Sequence, residues 1–395
     1  MKKYLTVATF VGLVLGIGLG LWCPQVADKI DFVGKFYITF LKYMVAPVVF
    51  TTIAVSIYES RDLSNRLVPL TVGIFVLMFT VTFLLSTVLI VLINPGAGFS
   101  MELSQWTGHT TQIGLAGVLW NLLPQNFAKF LTGGYLFFVI VLAAVVGTLG
   151  AMCSAGAAVM GAVRKIKDFL FLVLEYFMYI TPFAVCSLLC STVAKYGAIY
   201  LGLGAKYIAT AYICSAVAVV VVMILPVLYL AKMGFVTFLA KVHKIWVITV
   251  STCSSAATLP YTIKICREEF NIPGKITDVV VPLGCTIHMC GGAVSFSLLG
   301  LFCAQIFGVE ITFSKYVLML VAALLINMAA PGIPNGGIVI GATYLEILGV
   351  PLDFIGFYSG IYKLLDMVYT TLNVTGDVTA NVIVNEWEVR QGGKG

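Results

Sequence analysis

The chain is cut into apolar runs long enough to cross a bilayer. Stretches at 5–22, 36–57, 67–93, 135–163, 168–194 and 207–231 each approach or exceed the length of about 20 residues at which a helix spans the hydrocarbon layer. Backbone N–H and C=O groups in that layer must be bonded within their own segment, so these runs are helices and not open strands. The charge content agrees. Only 10% of residues are charged, against about 25% in ordinary globular domains, too few to cover a water-soluble fold. The sequence therefore predicts an all-α membrane protein.

The first run, MKKYLTVATFVGLVLGIGLGLW, has the charged and apolar parts of a signal peptide, but no Ala-x-Ala-like site follows it. It is predicted to be a retained first helix. Basic residues gather in alternate polar breaks, at Lys2-Lys3, Arg61 with Arg66, Arg164-Lys165, Lys241 with Lys244, and Lys264 with Arg267. The opposite breaks are poorer in them. By the positive-inside rule this predicts a multi-pass protein of the cell (plasma or inner) membrane with both termini cytoplasmic. The basic groups read as topology determinants and not as a nucleic-acid surface. The ten cysteines lie mostly inside apolar segments, with no Cys-x-x-Cys pair or closed Cys/His spacing, and read as buried free thiols.

From about residue 236 the apolar pattern is interrupted at membrane depth. Ser251-Thr-Cys-Ser-Ser-Ala-Ala-Thr-Leu-Pro260 joins two stretches too short to span comfortably, and its hydroxyls and thiol offer partners for backbone groups at a hairpin tip. Paired glycines in Thr286-Ile-His-Met-Cys-Gly-Gly292 are expected to weaken a helix. Ala330-Pro-Gly-Ile-Pro-Asn-Gly-Gly337 cannot be a continuous helix. Irregular backbone at this depth is tolerated only where protein buries it or where it lines a watered cavity. Three breaks in one half of a chain imply a site, and interrupted hairpins flanking a broken helix are expected of inverted repeats with a midplane site.

The last apolar segment carries Lys363, Asp366 and Asp377, and charges at such depth mark function. At 100° per residue, Lys363, Asp366, Thr370, Asn373 and Asp377 fall within a sector of about 80°. A carboxylate in low dielectric needs a cation or a proton. Asp366 is suited to an ammonium, the Asn373 amide to a carboxylate, and Asp377 to a hard cation or a proton.

These residues resemble the dicarboxylate/amino acid:cation symporter family, which includes the glutamate and aspartate transporters. The likeness runs from about 36 to 385 and is specific in Ser254-Ser-Ala-Ala-Thr-Leu-Pro260, Pro282-Leu-Gly-Cys-Thr-Ile287, Gly332-Ile-Pro334 and Leu372-Asn-Val-Thr-Gly-Asp377. The resemblance implies eight transmembrane helices plus two re-entrant helical hairpins, near 236–263 and 315–345, in a homotrimeric inverted-repeat elevator transporter. Scaffold helices would occupy 1–66 and 112–205, and the moving transport domain 67–93 and 206–385. Asp366 would bind a substrate amino group and Asn373 its main carboxylate, with Thr370 in support. Ser255 and the backbone around Ile333 and Gly337 would close over the ligand. Thr286 and Met289, with carbonyls near Asn327, Met328 and Ala330, would fall on one sodium site, and Asp377 with Gly284 and Asn373 on another.

The departures narrow these expectations. The arginine that acidic-substrate members place three residues after the last-helix aspartate is Tyr369 here, and the alternative at the hairpin tip is Cys253. A neutral substrate follows unless Lys363, a point-charge partner without a bidentate fork, replaces it. The helix-7 signature Asn-Met-Asp-Gly-Thr appears as His288-Met-Cys-Gly-Gly292, and the helix-3 hydroxyls align with Met78 and Phe79, so the family's third sodium site is expected to be absent. His288 or Asp377 could then carry a proton. His288 and Cys290 would face apart on a helix, which argues against an enzyme. The sequence thus predicts uptake of a small neutral amino acid coupled to sodium. The alternatives are a dicarboxylate or acidic amino acid held by Lys363, and proton coupling.

Overall fold

The computed structural model describes residues 2–59, 67–98, 136–153, 156–197, 199–329, 336–348, 350 and 353–392. These residues are helical apart from short turns, with no strand among them. The helices are α1 (Lys2–Trp22), α2 (Ala27–Glu59), α3 (Leu67–Ile93), α4 (Leu136–Met152), α5 (Gly156–Phe177), α6 (Thr181–Tyr196) and α7 (Ile199–Ala218). A π segment (Val219–Ile224) leads from α7 into α8 (Leu225–Leu230). There follow α9 (Phe235–Thr252), α10 (Ser255–Glu268), α11 (Gly274–Ile287), α12 (Cys290–Phe307), α13 (Phe313–Ala329), α14 (Gly336–Leu348) and α15 (Asp353–Gly392). Among the described residues, Leu67–Ile93, Gly202–Leu230, Phe235–Thr252 and Gly274–Phe307 are long and apolar enough to cross a membrane. Leu77, Val88, Leu92 and Val247 lie exposed on such helices, as lipid-facing side chains do.

Several boundaries differ from expectation. The apolar run 135–163 is two helices parted between Met152 and Gly156, and the run 168–194 is parted at Met178–Ile180. Pro182 in the first turn of α6 has no N–H to continue a preceding helix. The expected domain boundary at 205/206 falls inside α7. The first hairpin continues to Glu268 because Cys266 still faces the core. The broken helix parts at His288–Met289, ahead of the paired glycines, which sit in the first turn of α12. A Cβ on Gly291 would fall within 3.0 Å of the Tyr369 backbone, and one on Gly292 within 3.0 Å of the Asn327 side chain. These glycines allow close packing and do not break the helix. The second hairpin comprises α13 and α14, and its tip, with Ala330 and Ile333, lies outside the described residues.

The helices pack in two sets. In the first, α1, α2, α4, α5 and α6 contact mainly one another, and in the second α3 and α7–α15 do. Gly12, Gly16 and Gly20 form a stripe on α1 where any Cβ would come within 3.0 Å of α6 at Pro182, Cys186 and Cys190. Small residues at such spacing let two backbones approach closely in lipid. The second set is built around α15, with an aromatic core in which Tyr207 meets Phe302 edge-on at 5.0 Å. The sets touch where Gly360 of α15 rests on Leu189 of α6.

Candidate functional site

The polar stripe expected on the last helix lies on α15, an unbroken helix. Asp366, Thr370, Asn373 and Asp377 are buried, and Lys363 is half-buried. Thr370 Oγ1 donates to Asp366 Oδ1 at 3.2 Å, one helical turn away. Two broken elements end on this stripe.

The first is the α9–α10 hairpin. Cys253 takes a left-handed conformation (φ 48°) at its tip, an uncommon state for a residue with a Cβ. Hydroxyls satisfy the freed backbone around it. Ser254 Oγ accepts from Ala257 N–H at 3.2 Å, Thr258 Oγ1 donates to the Ser254 carbonyl at 2.8 Å, and Thr252 Oγ1 donates to the Ile248 carbonyl at 2.8 Å. This is the N-cap chemistry expected of serine. Ser255 is buried in the first turn of α10, and Cys253 lies in electrostatic range of both Lys363 and Asp366. The tip therefore meets the Lys363–Asp366 end of the stripe.

The second is the gap between α11 and α12. The α12 N-terminus gives its Gly291 N–H to Asn373 Oδ1 at 2.7 Å. That bond orients the Asn373 amide and leaves its NH2 for another partner. In the gap His288 (φ −106°, ψ 112°) and Met289 (φ −139°, ψ 81°) are extended. Side chains two apart on extended chain point the same way. His288 and Cys290 consequently come together, correcting the expectation that they face apart. His288 Nε2 lies 3.0 Å from Cys290 Sγ, and Nδ1 lies 2.8 Å from Asp377 Oδ1. Phe75 stacks on the imidazole at 4.5 Å, and Thr82 adjoins Cys290. All three members of this file are buried. The thiol can donate to Nε2 while Nδ1–H donates to the carboxylate. With one more proton, the imidazolium donates at both nitrogens. The same heavy-atom geometry serves either count.

The residues expected to hold sodium are placed unevenly. A Cβ on Gly284 would fall within 3.0 Å of the Asp377 carboxylate, so the two touch as expected, but the imidazole takes Oδ1. Met78 and Phe79 are buried on α3, and neither side chain carries the oxygen that a hard cation prefers. Among the described residues, no three His, Cys, Asp or Glu side chains converge as for a metal ion. Of the other set, Thr286 Oγ1 donates within its own helix to Leu283 at 2.8 Å, and Met289 is in the core. Asn327 is buried with its Nδ2 lacking a partner among the described residues. The Met328 side chain and Ala330 lie outside the described residues.

Tyr369 is buried, its hydroxyl beside Ser295 and in electrostatic range of Tyr207, Tyr358 and Cys214. Two further tyrosines escaped the sequence reading. Tyr358 and Tyr362 lie in electrostatic range of Asp366. Tyr358 shares a 2.8 Å hydrogen bond with Ser295, and a Cβ on Gly337 would fall within 3.0 Å of the Tyr362 hydroxyl. Their spacing from Asp366, four and eight residues back on the same helix, was the available signal.

Comparison with known proteins comes to the same place. A family model described as the sodium:dicarboxylate symporter family matches residues 5–387. The chain is 25% identical over 394 residues to a proton/sodium-glutamate symport protein of Geobacillus stearothermophilus, covering 96% of this chain and 93% of that one. It is 26% identical over 399 residues to the proton/glutamate-aspartate symporter of Escherichia coli (strain K12), covering 95% and 91%. To C4-dicarboxylate transport protein 1 of Ralstonia nicotianae it is 23% identical over 398 residues, covering 98% and 92%.

Proposed function

Because the chain belongs to the sodium:dicarboxylate symporter family, we propose that it takes up a small neutral amino acid together with a proton. It is a multi-pass cell-membrane carrier and not an enzyme. The observation that carries the coupling assignment is the contact of His288 with Asp377. A buried carboxylate needs a counter-charge or a proton, and here an imidazole stands on the carboxylate oxygen where a sodium ion would need room. The pair gains a proton on the side of high proton concentration and releases it on the other.

The substrate assignment rests on the stripe. Asp366, braced by Thr370, takes the ammonium, and the Asn373 NH2 takes the carboxylate. Tyr369 leaves an uncharged group where a clamp for a second carboxylate would stand. The names of the relatives, which specify glutamate, aspartate or C4-dicarboxylates, and the place of Lys363 beside Asp366 and Cys253 favour a second reading. In it Lys363 holds the far carboxylate of an acidic substrate.

The two packed sets of helices support a division into a scaffold of α1, α2 and α4–α6 and a moving body of α3 and α7–α15. On this reading the carrier is a trimeric elevator of eight spans and two hairpins. Purified protein in liposomes tests the whole reading. Alanine or serine should accumulate under an inward pH gradient without sodium. Accumulation driven by a sodium gradient alone would overturn proton coupling. Competition by succinate or aspartate that disappears in Lys363→Ala would overturn the neutral substrate.

A further inference from the structure

On the reading above Asp366 carries the substrate ammonium, and a symporter must also return with its site empty. A buried carboxylate left without a cation or a proton is costly, so the empty carrier needs something in the place of that ammonium. The surroundings of Asp366 narrow the choice. Thr370 donates to it at 3.2 Å, and Cys253, Tyr358 and Tyr362 lie in its electrostatic range, none of them a cation. Lys363 and Arg390 are the only basic residues of α15, and Arg390 is engaged at the far end of the helix by Glu386 and the Leu230 carbonyl. Lys363 stands three residues before Asp366, a spacing that puts side chains about 5–6 Å apart on one helix face. It is half-buried and hydrogen-bonds to Cys253 at the hairpin tip. Its flexible four-carbon stem gives the ammonium the reach to leave that thiol for the carboxylate.

Resting on the neutral-substrate reading above, we propose that Lys363 is a resident counter-ion, whose ammonium moves onto Asp366 when the site is empty and is displaced to the Cys253 tip by the ammonium of an incoming amino acid. The charges balance in both states. A zwitterionic amino acid adds no net charge, so Lys363 and Asp366 offset one another with the substrate present or absent, and the empty site needs no further cation. The half-buried position suits the displaced state, because a lysine can lay its stem on apolar surface and keep its head in water. The role also separates this residue from a clamp. A clamp closes on the ligand and strengthens its binding, whereas a resident ammonium competes with the ligand for the same carboxylate.

Purified protein in liposomes gives two rates for labelled serine. Net uptake into empty vesicles, under the gradient that drives wild type, requires the empty carrier to return. Exchange against unlabelled serine inside does not. In Lys363→Gln the ratio of net uptake to exchange should fall by about tenfold or more, since the empty site now buries a bare carboxylate. Serine should bind that variant about two- to fivefold more tightly in a titration, because a competing ion pair has been removed. Lys363→Arg keeps the charge and should hold the ratio within about threefold of wild type. Where glutamine unfolds the protein, Lys363→Met, which keeps the stem, serves the same two measurements. An unchanged ratio in the neutral variant would overturn the counter-ion, as would weaker serine binding, which would place Lys363 on the ligand. A ratio lost equally in Lys363→Arg would assign the residue a structural role and overturn it too. Failure of the neutral-substrate reading looks different. Wild type would then bind neither serine nor alanine, succinate or aspartate binding would vanish in Lys363→Gln, and the counter-ion would fall with that reading.

Discussion

The α1–α6 contact and the contacts that α15 makes with α9–α12 are both tight helix packings in one molecule, built from opposite materials. The first is a stripe of glycines against backbone at Pro182, Cys186 and Cys190. The second is polar. Trp246 Nε1 donates to Thr375 Oγ1 at 2.9 Å, Thr249 and Thr371 share a 2.7 Å bond, and Gly291 donates to Asn373 at 2.7 Å. Close backbone contact holds by dispersion and does not depend on charge state. The polar contact includes Asp377, a buried carboxylate whose stability depends on its proton or counter-charge. The difference teaches which interface can stay fixed and which can respond to an ion.

The sharpest break of that contrast is at Asp377. Asp377→Asn should reduce pH-driven uptake about 100-fold or more, in keeping with the ~3–5 kcal/mol that disrupting a buried charged pair costs. Uptake into liposomes at fixed inside pH measures it. His288→Asn returns an amide and frees the carboxylate oxygen, so on the proton-coupled reading its initial rates should become more dependent on sodium than those of wild type. A sodium-independent His288→Asn protein would show that room at Asp377 is not what selects the ion.

Next in size is the glycine stripe. Gly16→Leu forces a side chain into the backbone of α6 at Cys186 and should cost about 1–3 kcal/mol of stability. A thermal melt would read that as a lowered transition, while KM for the substrate stays within about twofold. A large change in KM instead would mean that the first set of helices shapes the binding site, and the contrast would collapse.

How much of this was legible in the sequence depended on regularity. The α15 stripe could be read because it is unbroken helix, where 100° per residue applies throughout. The first hairpin tip could be read because Ser254 and its neighbouring hydroxyls are caps by chemistry. The His288–Cys290–Asp377 file could not, since two extended residues at 288 and 289 reverse a facing that helical periodicity assigns. Paired glycines at 291 and 292 predict a weakened helix, yet they are conditions of close packing, which only the neighbouring Tyr369 and Asn327 reveal. Tyr358 and Tyr362 do not stand out in the sequence because periodicity gives a face and not its occupant.

A smaller effect is expected within the stripe. Thr370→Val removes the hydroxyl that donates to Asp366 at 3.2 Å but keeps the shape. Loss of one such bond is worth about 0.5–1.5 kcal/mol, so substrate affinity should fall roughly two- to tenfold. Isothermal titration with the preferred amino acid would detect it. An unchanged affinity would mean that Asp366 does not hold the ligand in the state that binds.

The smallest effect belongs at the base of the first hairpin, outside the membrane. Lys244 Nζ donates to Glu269 at 2.6 Å, and that bond, reinforced by the charges of Lys244 and Lys241, holds the Glu269 carboxyl below its usual 4.5. A carboxylate with a depressed folded pKa adds stability above its unfolded pKa and loses it as pH falls through the folded one. The contribution of this pair is therefore present at neutral pH and fades below about pH 4.5. Both partners are exposed, and salt screens exposed pairs. Lys244→Gln should accordingly lower the melting temperature at neutral pH by a shift near the resolution of the measurement, the two profiles should merge below about pH 4.5, and added salt should erase the difference. A loss larger than that of Thr370→Val would mean that the hairpin base is mechanically coupled to the stripe through α9 and α10. The polar interface would then extend to the surface instead of ending at the Cys253 tip.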